Sequence, residues 1–166
     1  MRRQILAPVT AGVLLALAGT AQAATKTTTF NVTANVLENC TISAGDLNFG
    51  NWSGDVDVAV QSTIVVHCTN ATGFEVSLSG GLISGDPLDR QMSSGGAVNL
   101  HYNLFTDLNH SDIWGDGTDG STVLGAGTGM ANAINLTVYG QLLASANPGG
   151  FDAGLYSDTV TATIEY

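Results

Sequence analysis

Two cysteines and three histidines have the most chemistry to offer in this chain, and their spacing limits what that chemistry is. Cys40 and Cys68 are its only thiols. There is no Cys-x-x-Cys spacing and no nearby pair of histidines, so the pair makes a poor zinc set. In an oxidising compartment an even count reads as one disulfide, with two separate thiols as the alternative. Closing a loop of this length contributes about 3–4 kcal/mol in the chain-entropy picture. His67, His101 and His110, beside many Ser and Asp residues, raise hydrolase chemistry. No Gly-x-Ser-x-Gly elbow accompanies them, and they fall on outward strand phases or in a loop, so no enzyme is expected. The run Gly115-Asp116-Gly117-Thr118-Asp119-Gly120 raises calcium. Its Asp-Gly turns offer oxygens, but the full Asp-x-Asp-x-Asp-Gly-x5-Glu loop is missing, and a tight glycine-rich turn is the simpler expectation. No metal and no cofactor is expected. Trp52, Trp114, Tyr139 and Phe151 suggest a sugar-stacking surface and hence, as one alternative, a secreted carbohydrate-binding module. Scattered aromatics in such domains more often anchor the core.

The oxidising compartment follows from the front of the chain. Arg2 and Arg3 precede a short apolar core at residues 11–20, and Ala21-Gln22-Ala23 supplies small residues for cleavage. Residues 1–23 read as a secretory signal, too short to span a membrane. Its removal leaves Lys26 and Arg90 against fourteen acids, a net charge of −12. So acidic a body is repelled by nucleic acid and anionic lipid, and no nucleic-acid partner is expected. Residues 24–166 suffice for one domain with its own core.

That domain reads as all-β. Six stretches alternate apolar and polar residues, the mark of antiparallel strands with one wet face. They are residues 40–42 continuing through 47–49, then 62–68, 73–79, 98–106, 134–142 and 160–166. Ile64, Val66 and Cys68 share a face, as do Phe74, Val76 and Leu78. Turn signals separate the runs, at residues 70–73, 80–81, 93–96 and 147–150. Six strands so spaced imply an immunoglobulin-like β-sandwich. Within it Cys40 and Cys68 meet either across a strand pair or across the core. Residues 107–130 form the longest irregular stretch, with Ile113 and Trp114 as its candidate pins.

The sandwich is expected to be incomplete, because a seventh strand is needed and nothing after Tyr166 supplies it. The last strand, with Val160, Ala162, Ile164 and Tyr166 in phase, would then wall an open acceptor groove and present unpaired backbone groups. Residues 27–36 read as a spare strand lying before the domain, with Phe30, Val32, Ala34 and Val36 on one face. Inserting that donor strand contributes on the order of 5–8 kcal/mol from apolar burial. This is strand addition, made either between copies or by the segment folding back on its own domain.

Asn39-Cys40-Thr41-Ile42-Ser43, Leu47-Asn48-Phe49-Gly50-Asn51 and Val66-His67-Cys68-Thr69-Asn70 resemble the opening motifs of the spore coat protein U domain family. Tyr102-Asn103-Leu104-Phe105-Thr106-Asp107 and Ile113-Trp114-Gly115-Asp116-Gly117 resemble its middle. Leu136-Thr137-Val138-Tyr139-Gly140 and Gly154-Leu155-Tyr156-Ser157-Asp158-Thr159-Val160 resemble its end. The likeness covers residues 38–166, with residues 24–37 as the donor extension. Phe105 stands where the family has Tyr, and Ala162 where a β-branched residue is expected. The resemblance implies a subunit of archaic (Csu-like) chaperone–usher pili, exported to the periplasm and then to the cell surface. It implies a periplasmic chaperone, an outer-membrane usher and copies of itself or related pilins as partners, with a role in adhesion or biofilm formation. A spore or cell coat protein is the alternative that the same resemblance carries.

Overall fold

The computed structural model describes residues 22–166, and the expected signal at residues 1–23 lies, but for its last two residues, outside them. The chain divides into two units, residues 1–35 and 36–166. In the first, residues 22–35 carry no regular structure and are exposed throughout. All the strands belong to the second.

These are β1 (Cys40–Ala44), β2 (Val58–Cys68), β3 (Gly73–Leu78), β4 (Arg90–Met92), β5 (Leu100–Phe105), β6 (Val123–Ala126), β7 (Ile134–Leu142) and β8 (Ala162–Glu165). They form a five-stranded sheet in the order β1-β2-β7-β5-β4 and a three-stranded sheet in the order β6-β3-β8. Every strand pair is antiparallel. No helix occurs among the described residues. The expected all-β sandwich is therefore what forms, with eight strands among the described residues rather than six.

Alternation builds the core as expected. Ile64, Val66 and Cys68 of β2 and Phe74, Val76 and Leu78 of β3 are all buried, facing one another across the layers with Leu104, Val138 and Leu142. The β2–β7 ladder runs nine pairs, from Val58↔Leu142 to Val66↔Ile134, and forms the spine of the larger sheet. Cys40 and Cys68 sit directly opposite each other in the β1–β2 register, 4.1 Å apart at Cα, and are disulfide-bonded. The bridge thus crosses a strand pair and not the core.

Residues 47–49 continue no strand. Leu47 and Phe49 instead fold over β7, where a Cβ on Gly140 would lie 2.8 Å from Leu47 Cδ1 and 3.3 Å from the Phe49 ring. Glycine at 140 is what lets these two side chains reach the sheet. Phe49 then meets Tyr102 edge-on, with ring centroids 5.9 Å apart.

The irregular stretch after residue 106 is pinned by Trp114, which is fully buried and donates its indole N–H to the Val76 carbonyl at 2.9 Å. Ile113 is half-buried and bridges to Phe105. The glycine-rich run at 115–120 is a tight turn. Asp116 accepts backbone N–H bonds from Thr118 and Asp119, and Gly117 and Gly120 take positive φ.

Candidate functional site

Strand β8 has β3 on one side and, among the described residues, no strand on the other. Its register on β3, from Glu75↔Glu165 to Leu78↔Ala162, fixes which side chains turn inward. Ala162 and Ile164 point to the core face and Thr163 and Glu165 to water, as period-two geometry requires. Val160, just before the strand, joins the inward row. All three pack against the core yet remain only half-buried. Tyr166 lies past the strand and is 56% exposed.

Strand β1 is the matching edge of the larger sheet, and it lies beside β8. Its inward Ile42 is also half-buried, and so are Leu47 and Phe49 beyond it. Two free strand edges of opposite sheets therefore flank a strip of incompletely covered apolar side chains. Ile42 lies on the β1 side, and Val160, Ala162 and Ile164 lie on the β8 side. Ile42 joins the candidate residues although the last strand alone was expected to wall the groove, and its signal was present in its phase with Cys40. Leu47 and Phe49 pack farther in, over Gly140 of β7 and against Tyr102 of β5. An edge of this kind exposes unpaired backbone N–H and C=O groups beside apolar surface, which is what an added strand needs.

The residues expected to supply that strand are themselves uncovered. Phe30, Val32 and Val36 are 83%, 82% and 83% exposed, and Ala34 is exposed as well. In water such a row of apolar side chains is unfavourable, and burial at about 25 cal/mol per Å² drives it toward a partner.

Behind the open edge, β3 is held by a buried cation that sequence reasoning passed over. Arg90 is fully buried and spends its guanidinium on five acceptors: the carbonyls of Leu78, Ser79, Pro87 and Trp114, and the side-chain oxygen of Asn103. It ties the end of β3 to β4, β5 and the Trp114 loop. No carboxylate bonds it directly. Burial pulls its pKa below the usual guanidinium value, opposed from a distance by the carboxylates of Asp158, Asp116 and Asp86. Tyr102 donates to Asp158 at 2.7 Å, and Asp158 also accepts the backbone N–H groups of Leu82 and Ile83. Burial, with that hydrogen bond, raises the Tyr102 phenol well above its ordinary value.

The other candidate chemistry is dispersed. His101 pairs with Asp89 at 2.6 Å, holding that carboxyl below its usual range, beside a shallow cavity of about 190 Å³ lined in part by Leu88, Tyr102 and Phe105. His67 meets only the Met130 carbonyl, and His110 packs edge-on between Phe105 and Tyr139. No hydrolytic triad is assembled from them. The four aromatics expected of a sugar platform are not brought together either. Trp114 is in the core, Trp52 stacks on Phe151 at 5.2 Å, and Tyr139 packs with His110.

Comparison with known proteins bears on the open edge. The Spore Coat Protein U domain matches residues 26–163. Protein U of Myxococcus xanthus is 32% identical over 178 aligned positions, covering 97% of this chain and 96% of that protein. Among solved structures, the chain is similar to one from the CsuC–CsuE chaperone–tip adhesion subunit pre-assembly complex of the archaic chaperone–usher Csu pili of Acinetobacter baumannii. That likeness has a TM-score of 0.55 at 31% identity. It covers 79% of this chain but only 40% of the other, so this chain spans well under half the length of that structural neighbour.

Proposed function

The chain belongs to the Spore Coat Protein U domain family, and from that membership and the open edge we propose that it is a structural subunit of a chaperone–usher surface fibre. The carrying observation is the pair of unpartnered edges, β1 and β8, with half-buried Ile42, Val160, Ala162 and Ile164 beside them. In this reading a periplasmic chaperone first covers the edge. At an outer-membrane usher, the leading segment of another copy replaces it, placing Phe30, Val32, Ala34 and Val36 along the apolar strip. Backbone ladder bonds provide generic affinity, and the alternate side chains provide register. The head-to-tail contact does not close on itself, so it propagates as a fibre. The likeness to a chain of a chaperone–pilus subunit complex supports the chaperone step. Export through the periplasm to the cell surface, and a part in adhesion or biofilm formation, belong to the same proposal.

Deleting residues 24–37 tests it. The expected product is a folded, chaperone-bound subunit that forms no polymer, with loss of surface fibres by electron microscopy. Normal polymerisation of the deleted chain refutes strand exchange. The description of the matched family, Spore Coat Protein U domain, favours a second reading, a cell or spore coat assembled by the same contact. Neighbouring genes for a chaperone and an usher select the fibre, and their absence selects the coat.

A further inference from the structure

The second unit, residues 36–166, carries all fourteen acids and a single Lys or Arg, a net charge of −13. None of the acids is buried, and eleven are exposed. The single base is Arg90, which is fully inside with every guanidinium nitrogen bonded to protein oxygens. The surface of the body therefore presents no Lys or Arg at all. Among the described residues the one exposed Lys or Arg is Lys26, four positions ahead of Phe30. The segment 24–37 contains no acid.

Two such bodies repel each other on approach, which opposes any contact between copies. The leading segment is the exception. From Lys26 to Val36 it can reach about 35 Å when extended. That exceeds the screening length of about 8 Å at physiological salt, so its cation can enter a neighbour's field ahead of its own body. We infer that Lys26 is an electrostatic lead: the leading segment of one copy is steered onto the open edge of a second copy by the acceptor's uniformly negative surface. The inference rests on the strand-exchange reading and adds to it a sign, a residue and a salt dependence. The segment's apolar row sets how long the contact lasts, whereas Lys26 sets how fast it forms, as charges at the rim of a contact act on association rate.

Three fluorescent peptides spanning 24–37, N-acetylated and C-amidated, test this, carrying Lys26, Lys26→Gln or Lys26→Glu, with net charges of +1, 0 and −1 by sequence. Each is mixed with full chain freshly refolded from denaturant, and capture is followed by fluorescence anisotropy. At about 20 mM salt, where screening is weak, the Lys26 peptide is expected to be captured roughly 3- to 10-fold faster than the Lys26→Glu peptide, with Lys26→Gln between. At about 500 mM salt the three rates are expected to converge, with release rates equal throughout. Equal capture of all three at low salt, or a difference that salt leaves unchanged, overturns the steering role and leaves strand exchange standing. Capture of none refutes strand exchange itself and this inference with it.

Discussion

Replacing Phe30 by Ala separates the assembly contact from the stability of the body. Phe30 is 83% exposed and lies outside every strand, so its truncation removes no core packing. A Phe side chain this exposed has on the order of 150 Å² left to bury, worth about 4 kcal/mol at 25 cal/mol per Å². Alanine retains roughly a third of that, so the substitution should weaken the inserted strand by about 2–3 kcal/mol, or roughly 30- to 140-fold in dissociation constant. Val32→Ala and Val36→Ala should each cost less, because a Val side chain has less area to lose. The assay has two arms. Polymer dissociation is followed by heating in detergent and resolving the ladder of oligomers, and melting of the unassembled subunit is followed by circular dichroism. Phe30→Ala should lower the first transition and leave the second where it is. An unchanged dissociation temperature refutes the claim that Phe30 is buried in the fibre. A lowered subunit melt with normal assembly shows instead that the segment folds back on its own domain.

Three further outcomes follow from the body. Replacing both Cys40 and Cys68 by Ala releases a cross-link between residues 28 apart and should cost about 3–4 kcal/mol, read as a lowered urea midpoint against the oxidised wild type. Arg90→Met leaves buried carbonyls of Leu78, Pro87 and Trp114 without their donor and should destabilise the body by about 3–5 kcal/mol in thermal melts; a loss under about 1 kcal/mol shows that they find other partners. Backbone N–H and Ser111 hydrogen bonds, chiefly that from Asp112, hold the Asp107 carboxyl below its ordinary value of 3.8. The folded state thus favours the charged form, and the resulting stability is complete above that value and lost as pH falls through the lower folded one. The Asp107→Asn melt should accordingly fall less steeply than wild type between about pH 4.5 and pH 2.5, and parallel curves refute the assignment.

Much of this architecture was legible because burial follows alternation. The bounds of β7 match the expected residues 134–142, and the inward rows of β2 and β3 are the ones that alternation marks. Where alternation was broken, the physical reason is local. β2 begins at Val58 rather than 62 because Val58 and Val60 continue its inward row, while Ser62, polar on that row, turns its hydroxyl to the Gly45 carbonyl. β6 was hidden by Gly125, whose missing Cβ is the room that the Phe74 ring occupies. β4 was hidden by Arg90, since a guanidinium on an inward row reads as a solvated face until its acceptors are in place. The open edge itself was half legible. The apolar phase of the last strand could be read locally, but the opposite wall comes from residues more than 110 positions earlier, and only sheet order brings them together.

Under the proposed strand exchange, a body whose edge receives a partner must hold both walls of that edge without the strand that would normally knit them. The structure meets this demand from behind. β1 is the outermost strand of its sheet and has one neighbour, but a disulfide fastens its first residue to the end of β2. Leu47 and Phe49, which follow β1 in the chain, are held against Gly140 of β7. β8 likewise has one neighbour, β3, and β3 is braced by Trp114 at Val76 and by Arg90 at Leu78 and Ser79. Val76 and Leu78 are the residues that pair with Ile164 and Ala162, so the brace acts directly behind the open strip. Covalent, steric and hydrogen-bonded reinforcement thus falls on the supports of the unpaired edges. Under the same proposal, that distribution would keep the acceptor side pre-organised, so that more of the burial energy of an incoming strand would appear as affinity rather than being spent on ordering the walls.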